Sequence, residues 1–175
     1  LLEKSAQISI SELVALKIGL AKALIGQGRF VAARAQLDSV QEEFQKGEYL
    51  VYLALSIYGE GDGRIDSEAF LVALEKASSA DLKAEDLPWL AMLQGLAAEF
   101  DGQTEIATAA YQRALELTDQ PMLRSHFEGL IMRQKLLASS ADEALVAELR
   151  VKIDQLEGQA AAYPFVQEYA VGLYG

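Results

Sequence analysis

Apolar side chains recur every three or four residues along almost the whole chain, which is the period of a helix with one buried face. From Ser9 to Gln27 the recurring set is Leu13, Leu16, Leu20 and Leu24, and Ser9-x-x-Glu12 is a capping box able to start that helix. The stretch Gly26 to Arg29 interrupts it, and a second helical pattern runs from about Phe30 to Gln45, where Gly47 stops it. A third helix fits Glu48 to Tyr58. Val51, Leu53, Leu55 and Ile57 also alternate there, and a glycine-rich stretch follows, so a strand ending in a hairpin turn competes. The repeat spacing described below favours helix.

Further helices are expected from Ser67 to Ser78, with Asp66 or Ser67 as cap, and from Leu87 to Phe100. Pro88 sits in the first turn of the latter, where its missing N–H costs nothing. Thr104 is placed to cap a helix reaching Thr118, and Pro121 opens another that continues to Leu137. A last long helix starts from the capping box Ser140-x-x-Glu143 and reaches about Ala161. Pro164 restarts the chain for a tail that sets Phe165, Val166, Tyr169 and Leu173 on one helical side. The pattern is all-α, and its short breaks force consecutive helices to lie antiparallel.

The helices repeat. Gly95 and Gly129 hold the same place in their helices, 34 residues apart, and so do Ala21 and Leu55. The step from Leu55 to Gly95 is 40 residues, the excess falling in two polar loops. Gly95, Gly102, Ala107, Tyr111, Ala114 and Pro121 follow the order small, glycine, small, aromatic, small, proline, and Leu20, Ala21, Leu24, Gly28, Ala33 and Leu37 offer a similar set earlier. In these positions the chain resembles the tetratricopeptide repeat family, without the family's early tryptophan in its usual place. Small residues let helices approach to about 8–10 Å, and Tyr111 and Leu37 fill the space between hairpins. The resemblance implies a right-handed α-α superhelix of about eight or nine helices in a single domain, 1–175. Its units fall at about 14–47, 48–87, 88–121 and 122–160, with 163–175 a capping helix, a plug in the groove or the start of a further repeat.

Such a stack has a concave side lined by the first helix of each pair. On the register the family uses for ligands, that side carries Ala15, Ile18 and Lys22, then Tyr49, Tyr52 and Ser56, then Trp89, Met92 and Leu96, then Leu123, His126 and Leu130. The resemblance therefore implies a scaffold that holds a protein or peptide segment there. Asparagine is absent and Lys22 is nearly alone among these positions, which disfavours a grip on a peptide carboxylate and favours an apolar or amphipathic helical ligand. The alternative is a self-association or docking module that uses the apolar tail and the inner side, with no separate ligand.

Composition narrows the chemistry. The formal charge of −11 repels phosphate and anionic lipid, so nucleic acid is not an expected partner. Cysteine is absent, which removes disulfides and thiolate metal sites. The run Leu50 to Tyr58 is too short to span a bilayer. The first residue is Leu, so an upstream segment is expected, and cytoplasmic and bacterial periplasmic settings both fit. The stretch Glu60 to Phe70 looks like half a calcium loop, but Tyr58 and Ala69 stand where its first and last acidic ligands belong. His126 is the only histidine, and it stands with no zinc partner or triad partner in the pattern. The pairs Glu42–Glu43 and Glu85–Asp86 read as solvated loop charges. No catalytic residue, metal or cofactor is expected.

Overall fold

The computed structural model describes residues 9–61 and 68–138, with Ala144, Ala147 and Val151 as further helical positions. Among the described residues there are seven α-helices and no strand: α1 (Ile10–Gly26), α2 (Phe30–Asp38), α3 (Glu48–Glu60), α4 (Glu68–Ser78), α5 (Leu87–Phe100), α6 (Thr104–Glu116) and α7 (Pro121–Ala138). Most of the helix expected from Ser140, and the tail after Pro164, lie outside the described residues, as does the centre of the calcium-like stretch.

Local signals set the boundaries. Ser9 caps α1 with the expected box: its Oγ accepts the Glu12 N–H, and its own N–H donates to Glu12 Oε2 at 2.8 Å. Gly28 and Gly102 hold φ of 69° and 72°, the left-handed conformation that ends a helix cheaply only at glycine. At both, the following N–H reaches back five residues, Arg29 to the Leu24 carbonyl and Gln103 to the Ala98 carbonyl. These are Schellman turns, and they fold α2 back on α1 and α6 back on α5. Segment 48–60 is helix, so the competing strand is rejected; α3 is flanked by α1, α2, α4 and α5. Two expectations need correction. The second helix ends at Asp38, not Gln45: Ser39 Oγ turns back to the Gln36 carbonyl at 2.6 Å, and a 3-10 turn, Glu42–Phe44, follows. Thr104 is the first residue of α6, not its cap, and its carbonyl accepts the Thr108 hydroxyl.

The repeat spacing survives in three dimensions. The C-caps of α1, α3 and α5 are Gln27, Gly61 and Asp101, separated by 34 and then 40 residues. Hairpins α1–α2, α3–α4 and α5–α6 each close on themselves, and each then packs on the next through α2 against α3, α4 against α5 and α6 against α7. The first helices also touch in series, α1 with α3 and α3 with α5. One continuous core results, with Phe70, Tyr111 and Phe127 fully buried, each contributing roughly 1.5–3 kcal/mol by leaving water.

Two glycines admit rings that no other residue would. A Cβ on Gly95 would stand 2.4 Å from the Tyr111 ring, and one on Gly59 would stand 2.3 Å from the Phe30 ring. The Tyr111 ring cannot withdraw, because it is buried and its hydroxyl is tied to Glu99 at 2.8 Å. Gly19, on the exposed side of α1, has nothing within 4 Å of such a Cβ. Gly95→Ala should therefore destabilise by about 1–3 kcal/mol through overpacking, whereas Gly19→Ala should stabilise by up to about 1 kcal/mol through helix propensity. Urea titration of the two variants followed by circular dichroism checks the opposite signs.

Candidate functional site

Of the ten residues expected to face a ligand from the first helices, eight are buried: Ile18, Tyr49, Tyr52, Met92, Leu96, Leu123, His126 and Leu130. Lys22 and Trp89 are half-buried. The apolar ones belong to the core, with Trp89 packed against it and standing edge-on to Phe127 at 6.5 Å between ring centres. In the structure neighbouring helices pack against these side chains.

Lys22 is not a lone cation. Its Nζ lies 2.6 Å from Glu48, 3.7 Å from Asp86 and 3.9 Å from Glu85, and 4.5 Å above the Tyr52 ring. The Tyr52 hydroxyl donates to Asp86 Oδ1 at 2.9 Å, a bond between residues 34 apart that ties one unit to the next. Asp86 is thus not a solvated loop charge: it is fully buried at the start of α5, and its Oδ2 has no hydrogen-bond partner. Burial alone would raise the Glu48 carboxyl, but the hydrogen bond and charge of Lys22, with the charge of Lys83, hold it below the ordinary carboxylate range. Burial first, and the Asp86 charge second, push the Tyr52 hydroxyl up, so it stays a donor.

Glu48, Glu85 and Asp86 bring one carboxylate oxygen each within 4.8 Å of the others, a spacing a metal ion could bridge. The Lys22 ammonium already stands among them and supplies the positive charge. A similar knot lies one unit on, where Glu99 of α5 accepts from Tyr111 of α6 and from Arg133 of α7, again 34 residues away. Next to Arg133 in the stack, burial and then the Arg133 charge lower the His126 pKa to about 4. The buried imidazole stays neutral and packs against the Phe127 ring at 5.8 Å between ring centres.

An open seat lies elsewhere. A cleft of about 490 Å³ separates α2 from α4, with α3 as its floor. Tyr49, Leu50, Leu53 and Ile57 make that floor, the last two only half-buried. Ala69, Val72, Ala73 and Lys76 of α4 form one wall; Arg34 of α2 and the turn residues Glu42 and Gln45 form the other. The cleft reaches the place where α2 stops short. The helix in the equivalent place, α6, has 13 residues against 9 in α2, and the missing turn is worth about 6 Å of length. Tyr49 alone was expected at a binding surface. The other residues escaped notice because the sequence pattern carries the second helix through to Gln45. At the mouth, Arg34 is paired with Asp38 at 2.9 Å, while Lys76 is exposed and has no carboxylate partner among the described residues.

Comparison with family models, curated proteins and solved structures finds no match. Among the described residues no helix is long and apolar enough to cross a membrane.

Two measurements test this electrostatic description. Tyr52→Phe leaves the buried Asp86 carboxylate without its hydroxyl donor and should cost about 1–3 kcal/mol, read from denaturant titration at pH 7. For His126, the unfolded chain takes up a proton below about pH 6.5, and the folded chain does so only near pH 4. The stabilisation is therefore full above pH 6.5 and is lost as pH falls toward 4, by up to about 3 kcal/mol. His126→Leu removes this titration and should flatten the dependence of the urea midpoint between pH 5 and 6.5.

Proposed function

We propose that this protein is a tetratricopeptide-like stack of helical hairpins that serves as a protein-binding scaffold, and that its seat is the cleft between α2 and α4. The stacking part of the reading is supported by the C-cap spacing of 34 and 40 residues and by rings set on glycines at Gly95 and Gly59. The binding part rests on one observation: half-buried Leu53 and Ile57 floor an open cleft with the exposed Lys76 at its mouth. Its volume is in the range of ordinary ligand sites. It holds a few side chains, not a folded surface.

The ligand that fits is a short segment with apolar residues at helical or alternate spacing and a carboxylate to meet Lys76. Apolar contact with the floor supplies affinity; the lysine sets orientation and selects against basic segments. The right-handed superhelix and the scaffold role belong to the same reading. No side chains in the cleft form a nucleophile–base or acid–base pair, so holding is the activity proposed, with no reaction.

Selection from a displayed library of 12-residue peptides tests it. Enriched peptides should carry two or three apolar residues and an acidic one, and bind in fluorescence anisotropy. Leu53→Glu should weaken that binding by at least about tenfold, as expected for one apolar contact replaced by a buried charge, and Lys76→Glu should weaken it severalfold. Failure to enrich any binder, or binders indifferent to Leu53→Glu, removes the cleft as the seat.

A further inference from the structure

We propose that the outward side of α1 is a homodimer interface, occupied by α1 of a second copy of this chain packed antiparallel to it. Ile10, Leu13, Leu16 and Leu20 are 58, 46, 60 and 48% exposed on that helix. Gly19 and Ala23 lie exposed between and beyond them, small enough to let another helix come close. The repeat spacing shows what these positions do when neighbours are present. Thirty-four residues on, Leu16 and Leu20 correspond to Leu50 and Ala54 of α3, which are buried. The difference is one of place: α3 has a hairpin on either side, whereas α1 packs on α2 and α3. A helix side that meets water is normally polar; this one carries large aliphatic side chains.

Area and charge favour a second copy. Four large side chains about half exposed present on the order of 400 Å² of apolar surface, the size at which a patch marks an interaction site. A standard interface removes about 800 Å² per partner, of which about 450 Å² is apolar, so the stripe nearly suffices. Two copies of a chain carrying −11 repel one another, so contact is favoured where carboxylates are few. Glu12 is the only acidic residue in α1, and Lys17 and Lys22 are engaged within the protomer, with Ser39 and Glu48.

An antiparallel register pairs Leu13 with Leu20 and Ile10 with Ala23 across the two-fold axis, large against small at the ends. The two Glu12 residues then stand roughly 13 Å apart along the axis, from a rise of 1.5 Å per residue, beyond the screening length of about 8 Å at physiological salt.

Sedimentation equilibrium of the full chain over about 1–200 µM is the test, that span bracketing the micromolar affinities of small interfaces. A reversible monomer–dimer equilibrium is expected. Leu16→Glu should weaken it at least about tenfold, because the axis repeats the loss in both copies. Ile106→Glu, equally exposed but on α6, should leave it unchanged, and circular dichroism should show both variants folded. The chain has no cysteine, so orientation can be read directly: a mixture of Leu13→Cys and Leu20→Cys protomers should cross-link faster than either alone. A monomer at every concentration overturns the proposal, as does a dimer that survives Leu16→Glu, or cross-linking in which the mixture is slower than either single variant.

Discussion

The structure depends on the burial of α3. This helix has neighbours in front, behind and on either flank, and it meets them with Tyr49, Leu50, Val51, Tyr52, Ala54, Leu55 and Ser56, all buried. A helix buried over most of its circumference must be apolar over most of it, and the remaining helices pack around it. The α1–α2 hairpin lies against it through both members, α4 folds back on it, and α5 touches it from the other side. The cleft also follows from it, because a floor of Leu53 and Ile57 becomes available wherever a covering helix is cut short.

Enclosure creates a second constraint, the fate of polar atoms at the joints. Asp86 is taken wholly out of water where α5 begins, and one of its oxygens stays unpartnered. A buried carboxylate in that position is tolerable only with a donor and a counter-charge nearby. Tyr52 gives the first and Lys22 the second, from α3 and α1. Three helices are thereby held in one register by groups that cannot be satisfied in any other. Glu99, Tyr111 and Arg133 do the same for α5, α6 and α7. Such knots add little net stability over an apolar joint of equal volume, but misalignment by one turn leaves a charge alone in the interior. They therefore bear on which stacking is chosen more than on how strongly it holds.

Much of the fold was legible in the sequence because its main cues are local. Ser9 with Glu12, the glycines at 28 and 102, and Pro88 each act within one turn of chain, and the elements they bound agree with expectation. The α3 segment was ambiguous for a physical reason: burial of most of the helix leaves little polar side on which helical periodicity is read, and the run alternates as well as it rotates. The end of α2 was missed because Ser39 is a weak stop signal and Val40, buried, continues the apolar period after the helix has gone. The ligand-facing set was legible as a side of the helices but not as a surface. Whether Met92 or Leu130 meets solvent depends on how closely the next helix stands, and sequence spacing within one helix holds no information on that distance.

The exposed stripe of α1 and the cleft over α3 have a common origin. In a stack built by repetition, each first helix is designed to be covered by second helices, and an apolar surface is left open wherever that cover is missing. Among the described residues no hairpin covers the outward side of α1; at the cleft the last turn of α2 is missing, α2 being four residues shorter than α6. The two openings differ in what can fill them. The first is a convex ridge of aliphatic side chains, which suits another helix and, by the sparseness of acids on α1, a second copy. The second is a concave slot with a lysine at its mouth, which suits a slender segment of opposite charge. On the proposed reading the ridge takes a second copy because acids are sparse on α1, and the slot takes a segment that brings a carboxylate to Lys76.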